Sequence, residues 1–108
     1  MSRLADLPPA DFDDDQRRLY EGIIHGKRAG GGSSDDFLNA GGGMRGPFNA
    51  LLRAPGVGEP AHRLGEALRY GGSLPGPWRE LGILVVAQAW RAQYEWWAHA
   101  KIARREGL

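Results

Sequence analysis

Apolar residues recur along this chain at helical spacing, and proline and glycine punctuate them at intervals of ten to twenty residues. Met1 to Pro9 reads as an extended lead-in closed by Pro8-Pro9. From Ala10 to Lys27, Phe12, Leu19, Ile23 and Ile24 fall on one side of a helix and Arg17, Arg18 and Glu21 on the other, with Asp11 or Asp13 as its cap. Seven glycines between Ala29 and Gly46 disfavour helix and strand alike and predict a loop. Pro47 to Arg53 is a short helix with Phe48, Leu51 and Leu52 on its apolar face. Pro55 ends it, and another helix follows from about Val57 to Tyr70, with Ala61, Leu64 and Leu68 as its expected buried stripe and Gly71-Gly72 as its stop.

The stretch from Ser73 to Leu108 holds the longest apolar run and all four tryptophans. Pro75 and Pro77 open a helix that runs to about Ala89 and is apolar nearly all round, as expected of a helix buried in the domain or against other subunits. A break near Trp90–Arg91 precedes a last helix, Gln93 to Glu106, closed by Gly107 with Arg104 and Arg105 beside the negative end of its dipole. That helix has two faces. Tyr94, Trp97, Ala98 and Ile102 form one that should pack; Ala92, Glu95, His99 and Ala103 form the other. The pattern as a whole predicts an all-α chain, a small bundle of about five helices.

At 108 residues the chain is expected to be one domain: an N-terminal helix over 1–28, a Gly-rich loop over 29–46 and a helical core over 47–108. Lys plus Arg, 14, nearly balance Asp plus Glu, 13, which argues against a nucleic-acid partner. No signal-peptide pattern and no run near the ~20 apolar residues of a membrane span is present, so no membrane association is expected. The chain has no cysteine; this fits a reducing compartment, and a cytoplasmic location is expected.

The candidate chemistry lies in the last two helices. Glu80 stands in an apolar helix, where a carboxylate must be paired or neutralised. Glu95 and His99 are four apart and so share a helix face. Other candidates are weaker. His25 reads as a terminal histidine that favours the helix dipole, and His62, among Glu59, Arg63 and Glu66, as a solvated one. Arg45, Arg53 and Arg69 read as surface residues, one of which could hold a carboxylate. The glycine loop has neither the preceding strand nor the Gly-Lys-Ser/Thr ending of a phosphate cradle, and a flexible cover over a pocket fits it better. Glu80, Glu95 and His99 could in principle hold iron or zinc, yet only one histidine is near. Trp96 and Trp97 beside Lys101, Arg104 and Arg105 could stack on a base, but the cations are few.

RELGILVVAQAWRAQYEWWAHAKIARREGL resembles the core of the carboxymuconolactone decarboxylase family, which also holds the alkyl hydroperoxidase D-like proteins. GPFNALLRAPGVGEPAHRLGEALRYGGSLP resembles the segment before that core, so the likeness covers Gly46 to Leu108. The thiol-dependent branch carries two cysteines where this chain has Ala92 and Glu95, followed by a histidine at His99. Without cysteine, thiol peroxidase chemistry is impossible here. The acid–base branch, with an Arg-Glu pair followed by Glu-x-x-x-His, is the nearer analogue.

The resemblance implies an alkyl hydroperoxidase D-like helical fold and a homo-oligomer, trimer or hexamer. It also implies decarboxylation of a carboxylated lactone in aromatic catabolism, with no cofactor and no metal. Glu80, Glu95 and His99 would then be catalytic: His99 donates the proton, Glu95 orients it and Glu80 relays or stabilises charge. Arg79 would bind the substrate carboxylate. Family domains continue beyond the position of Gly107, so the chain is expected to be short at its C-terminus. A non-catalytic or truncated member serving as an assembly subunit is the competing expectation.

Overall fold

The computed structural model describes residues 3–28 and 36–108, and these are helical apart from turns and one isolated bridge. A 3-10 turn at Pro9–Asp11 precedes five α-helices: α1 (Asp14–Ile24), α2 (Gly46–Arg53), α3 (Pro55–Tyr70), α4 (Gly76–Ala89) and α5 (Gln93–Arg105). The all-α class expected from the hydrophobic pattern is the one observed. No helix is long and apolar enough to cross a membrane among the described residues. The chain divides into two compact units, residues 1–71 and 72–108.

In the first unit α1 is shorter than its apolar pattern. Phe12 is extended, and Asp13 caps the helix in a reciprocal capping box: its side chain accepts from Gln16 N at 2.8 Å while Gln16 Oε1 accepts from Asp13 N at 2.9 Å. Leu19 and Ile23 are buried with Phe37, Met44 and Leu52 to form the core, and Phe12, Tyr20, Phe48 and Leu51 pack around it. Of the expected 29–46 loop, residues 29–35 lie outside the described residues. The remainder is a tight turn whose bridge pairs Leu38 with Met44. Asn39 Oδ1 accepts from Gly41 N and Gly43 N at 2.9 and 3.0 Å, and Gly42 takes a φ of 80° that a side chain would resist. Tyr20 Oη donates to Gly42 O at 2.8 Å and ties the turn to α1. The buried Asn49 and the side chain of Arg53 both donate to Ala5 O, at 3.1 and 2.6 Å, which fastens the lead-in to α2.

Helix α3 corrects two expectations. Leu64 and Leu68 are 62% and 66% exposed and Ala61 is exposed, whereas Gly58 and His62 are buried. The reason is close approach: a Cβ at Gly58 would lie within 3.0 Å of Leu51 backbone and the Leu19 side chain, so α3 meets them where it carries no Cβ. His62, one turn on, is carried inside with Gly58.

The second unit is a helix pair. Helix α4 ends in a Schellman motif, with Ala92 N donating to Ala87 O at 2.8 Å and Arg91 N to Gln88 O at 3.1 Å. Arg91 occupies the left-handed position at φ 51°. The same motif closes α5, where Leu108 N reaches Ala103 O and Gly107 sits at φ 91°. Burial on α4 is confined to Glu80 and Ala87, with Ile83 and Leu84 half-buried between them, a stripe of one helix face. Leu81, Val85, Val86, Trp78 and Trp90 are exposed, so all-round burial of α4 within the chain is not found. Within this unit α4 has only α5 to pack against, and one neighbour covers one stripe. On α5, Ala98 and Ile102 pack as expected with Ala103, while Trp97 remains partly exposed beneath Lys101 Nζ.

Candidate functional site

The first turn of α4 and one face of α5 meet in a charged cluster. Glu80 has no exposed surface, yet both its oxygens are bonded. Arg79 Nε donates to Oε1 at 3.2 Å, and Oε2 lies 2.6 Å from His99 Nδ1. Against an ionised carboxylate, which only accepts, Nδ1 is the donor, and Nε2 lies toward the next group. That group is Glu95, whose Oε2 is 3.5 Å from Nε2. In the imidazolium form both ring nitrogens donate, one to each carboxylate; in the neutral form only one can. The contact to the buried Glu80 oxygen is the shorter, at 2.6 Å, and Glu95 is the more exposed and more distant partner.

Structure thus brings together all four residues singled out in the sequence: Arg79, Glu80, Glu95 and His99. It adds Glu106, whose Oε1 is 3.7 Å from Arg79 Nη2. Glu106 follows Glu95 and His99 by eleven and seven residues, so helical spacing alone places it on their face. That was the available signal, and reading Glu106 only as a helix terminus missed it. Among the described residues, no group of three or more His, Cys, Asp or Glu side chains is placed to hold a metal ion.

A groove of about 660 Å³ runs beside the cluster. Trp78, Ile83, Val86 and Trp90 wall it, and Arg79 and Glu95 are its charged members. Gly82 opens onto it with no atom within 4 Å of where a Cβ would stand. Of the three expected catalytic residues, Glu95 alone lines this space, and His99 and Glu80 stand behind it in sequence of contact.

The remaining candidates are placed in the first unit. His25 is exposed, caps the C-terminus of α1 and pairs with Glu21 at 2.9 Å. His62 is not solvated. Its Nδ1 accepts from Arg28 Nε at 3.5 Å, and its Nε2 lies 3.4 Å from Glu66 Oε1. Burial holds His62 below the ordinary histidine value of 6.5; Glu66 pulls upward, and Arg28 adds to the lowering. Arg45 and Arg53 serve backbone carbonyls, and Arg69 lies over the Tyr70 ring.

No protein-family model matches the chain, and neither a curated protein nor a solved structure matches it.

Proposed function

We propose that this chain is a carboxymuconolactone decarboxylase-like protein whose second unit carries out acid–base decarboxylation of a carboxylated lactone, without a cofactor. The observation that carries this reading is the line of contacts from a fully buried carboxylate through an imidazole to a carboxylate on a groove wall: Glu80, His99, Glu95. Such a line holds a proton at a defined place and can hand it over. Arg79 binds the substrate carboxylate. When the bond to carbon dioxide breaks, the electron pair stays on carbon as an enolate conjugated with the lactone carbonyl. The proton held between His99 Nε2 and Glu95 Oε2 then goes to that carbon, and solvent replaces it. Glu80 anchors the ring and Glu95 faces the substrate, so the orienting role falls to Glu80.

The protein is proposed to work in the cytoplasm as a homo-oligomer, a trimer or hexamer. Carbon dioxide release from carboxylated lactones tests the activity. His99→Gln keeps an amide N–H for Glu80 and should abolish turnover with little change in melting temperature, and Glu95→Gln should lower it strongly. Undiminished activity in His99→Gln overturns the assignment. The exposed apolar face of α4, with Val85 and Val86 near 60% exposed, favours a second reading, a non-catalytic subunit of an assembly. A flat activity screen with a discrete oligomer in light scattering supports that reading, and a monomer overturns the oligomer.

A further inference from the structure

Glycine inside a helix lowers stability relative to alanine, so a glycine there calls for a reason. At Gly58 the reason is contact, because a Cβ would meet Leu51 backbone and the Leu19 side chain. Gly82, in the middle of α4, has neither of the usual reasons. The left-handed glycines among the described residues are Gly42, Gly46 and Gly107, so the backbone at Gly82 is one that any residue adopts. A Cβ there would meet no atom within 4 Å, so nothing packs close enough to require its absence. Alanine would fit and would favour the helix. What glycine leaves instead is space.

That space opens on the groove that holds Arg79 and Glu95. Trp78, Gly82, Val86 and Trp90 follow one another four residues apart on α4, each about 6 Å further along the axis, and make one row of the groove wall. Three members of the row carry large apolar side chains, and the bare place falls between Trp78 and Val86. Those two stand about 12 Å apart along the axis, which leaves room for a flat ring of five or six atoms against the backbone between them. An open alkyl chain has less need of such a recess, because a change of torsion carries it past a methyl group. A rigid ring has no torsion to change.

We propose that Gly82 determines the specificity of the groove: the recess it leaves between Trp78 and Val86 receives a flat ring and selects ring compounds over open chains of equal size. The inference deepens the proposed function and rests on it for the reaction, but it concerns binding, which is measured without turnover.

The test uses the full chain and two probes, benzoate and heptanoate, each with seven carbons and one carboxylate, so that charge cancels in their ratio. Binding is followed by tryptophan fluorescence, since Trp78 and Trp90 stand in the groove wall. Benzoate should bind the parent saturably. Gly82→Ala should weaken benzoate about fivefold or more and heptanoate less than about twofold, and Gly82→Leu should weaken benzoate further. The alanine variant should nevertheless be more stable, with a folding constant about four- to fivefold higher in urea unfolding. That gain separates a filled recess from a damaged fold. Gly22, on α1 in the first unit, is as open as Gly82, and Gly22→Ala should leave the benzoate-to-heptanoate ratio where it is. No saturable benzoate binding, a ratio that Gly82→Ala does not move, or a Gly82→Ala chain less stable than the parent each overturns the inference. Loss of ring selectivity in Gly82→Ala, in a protein that releases no carbon dioxide from any lactone, keeps the inference and defeats the decarboxylase reading. Carbon dioxide release undiminished in Gly82→Ala does the reverse.

Discussion

The two units bury opposite things. Among the described residues of 1–71 the fully buried large side chains are Ile23, Met44 and Leu52, gathered from α1, the turn and α2. In residues 72–108 the one large side chain with no exposure is Glu80, while Trp78, Val85, Val86 and Trp90 face outward. Composition does not account for this, because α4 is the most apolar helix of the five. What differs is the number of neighbours. Three helices and a turn can surround a core, whereas a helix pair shares one seam, and whichever residues stand on the seam are buried. In the second unit the seam carries a carboxylate bonded on both oxygens. An apolar core gives cohesion that many side chains could supply, and a satisfied buried charge gives a single arrangement that few could.

The largest effect should come from breaking that satisfied charge. Glu80→Ala leaves His99 and Arg79 facing an empty site, and removing one partner of a buried pair costs about 3–5 kcal/mol. Urea unfolding followed by tryptophan fluorescence reports it directly, since all four tryptophans are in the second unit. A variant as stable as the parent would show that the seam does not depend on its carboxylate. Ile23→Ala is the counterpart in the first unit and should cost about 2–5 kcal/mol through lost burial and a cavity, read by circular dichroism in urea.

A subtler difference is pH dependence. His62 is held below 6.5 by burial, so the unfolded chain takes up a proton near that value before the folded chain does. Its contribution is therefore complete above 6.5 and is lost as pH falls through 6.5 toward the lowered folded value. Unfolding free energies measured between neutral and mildly acidic pH should fall, and His62→Gln should flatten that part of the slope. An unchanged slope would place the dependence elsewhere. The smallest effect is expected on the outer face of α4, where Val85→Ser and Val86→Ser should each change stability by no more than about 0.5 kcal/mol. A loss as large as that of Ile23→Ala would mean that this face is covered in solution, and light scattering would show by what.

Local sequence determined the five helices and several of their ends, though not the start of α1 or of α3. Proline at the starts, an aspartate cap (Asp11 or Asp13 by sequence, Asp13 in the structure) and the Gly107 stop act within a turn of the chain, so each is legible without tertiary knowledge. The Glu95–His99 pairing was legible for the same reason, because four residues along a helix return to one face. Which face goes inside was not. On α3 the leucines suggested one stripe, and the close approach permitted by Gly58 selected another, taking His62 inward and leaving Leu64 and Leu68 out. On α4 hydrophobicity suggested burial everywhere, and a single partner helix restricted it to the line through Glu80 and Ala87. The joining of Glu80 to His99, 19 residues apart, and of Glu106 to Arg79 likewise belongs to tertiary structure. Periodicity is a property of one helix, but a seam is a property of two, and the distance at which their backbones can meet decides what it contains.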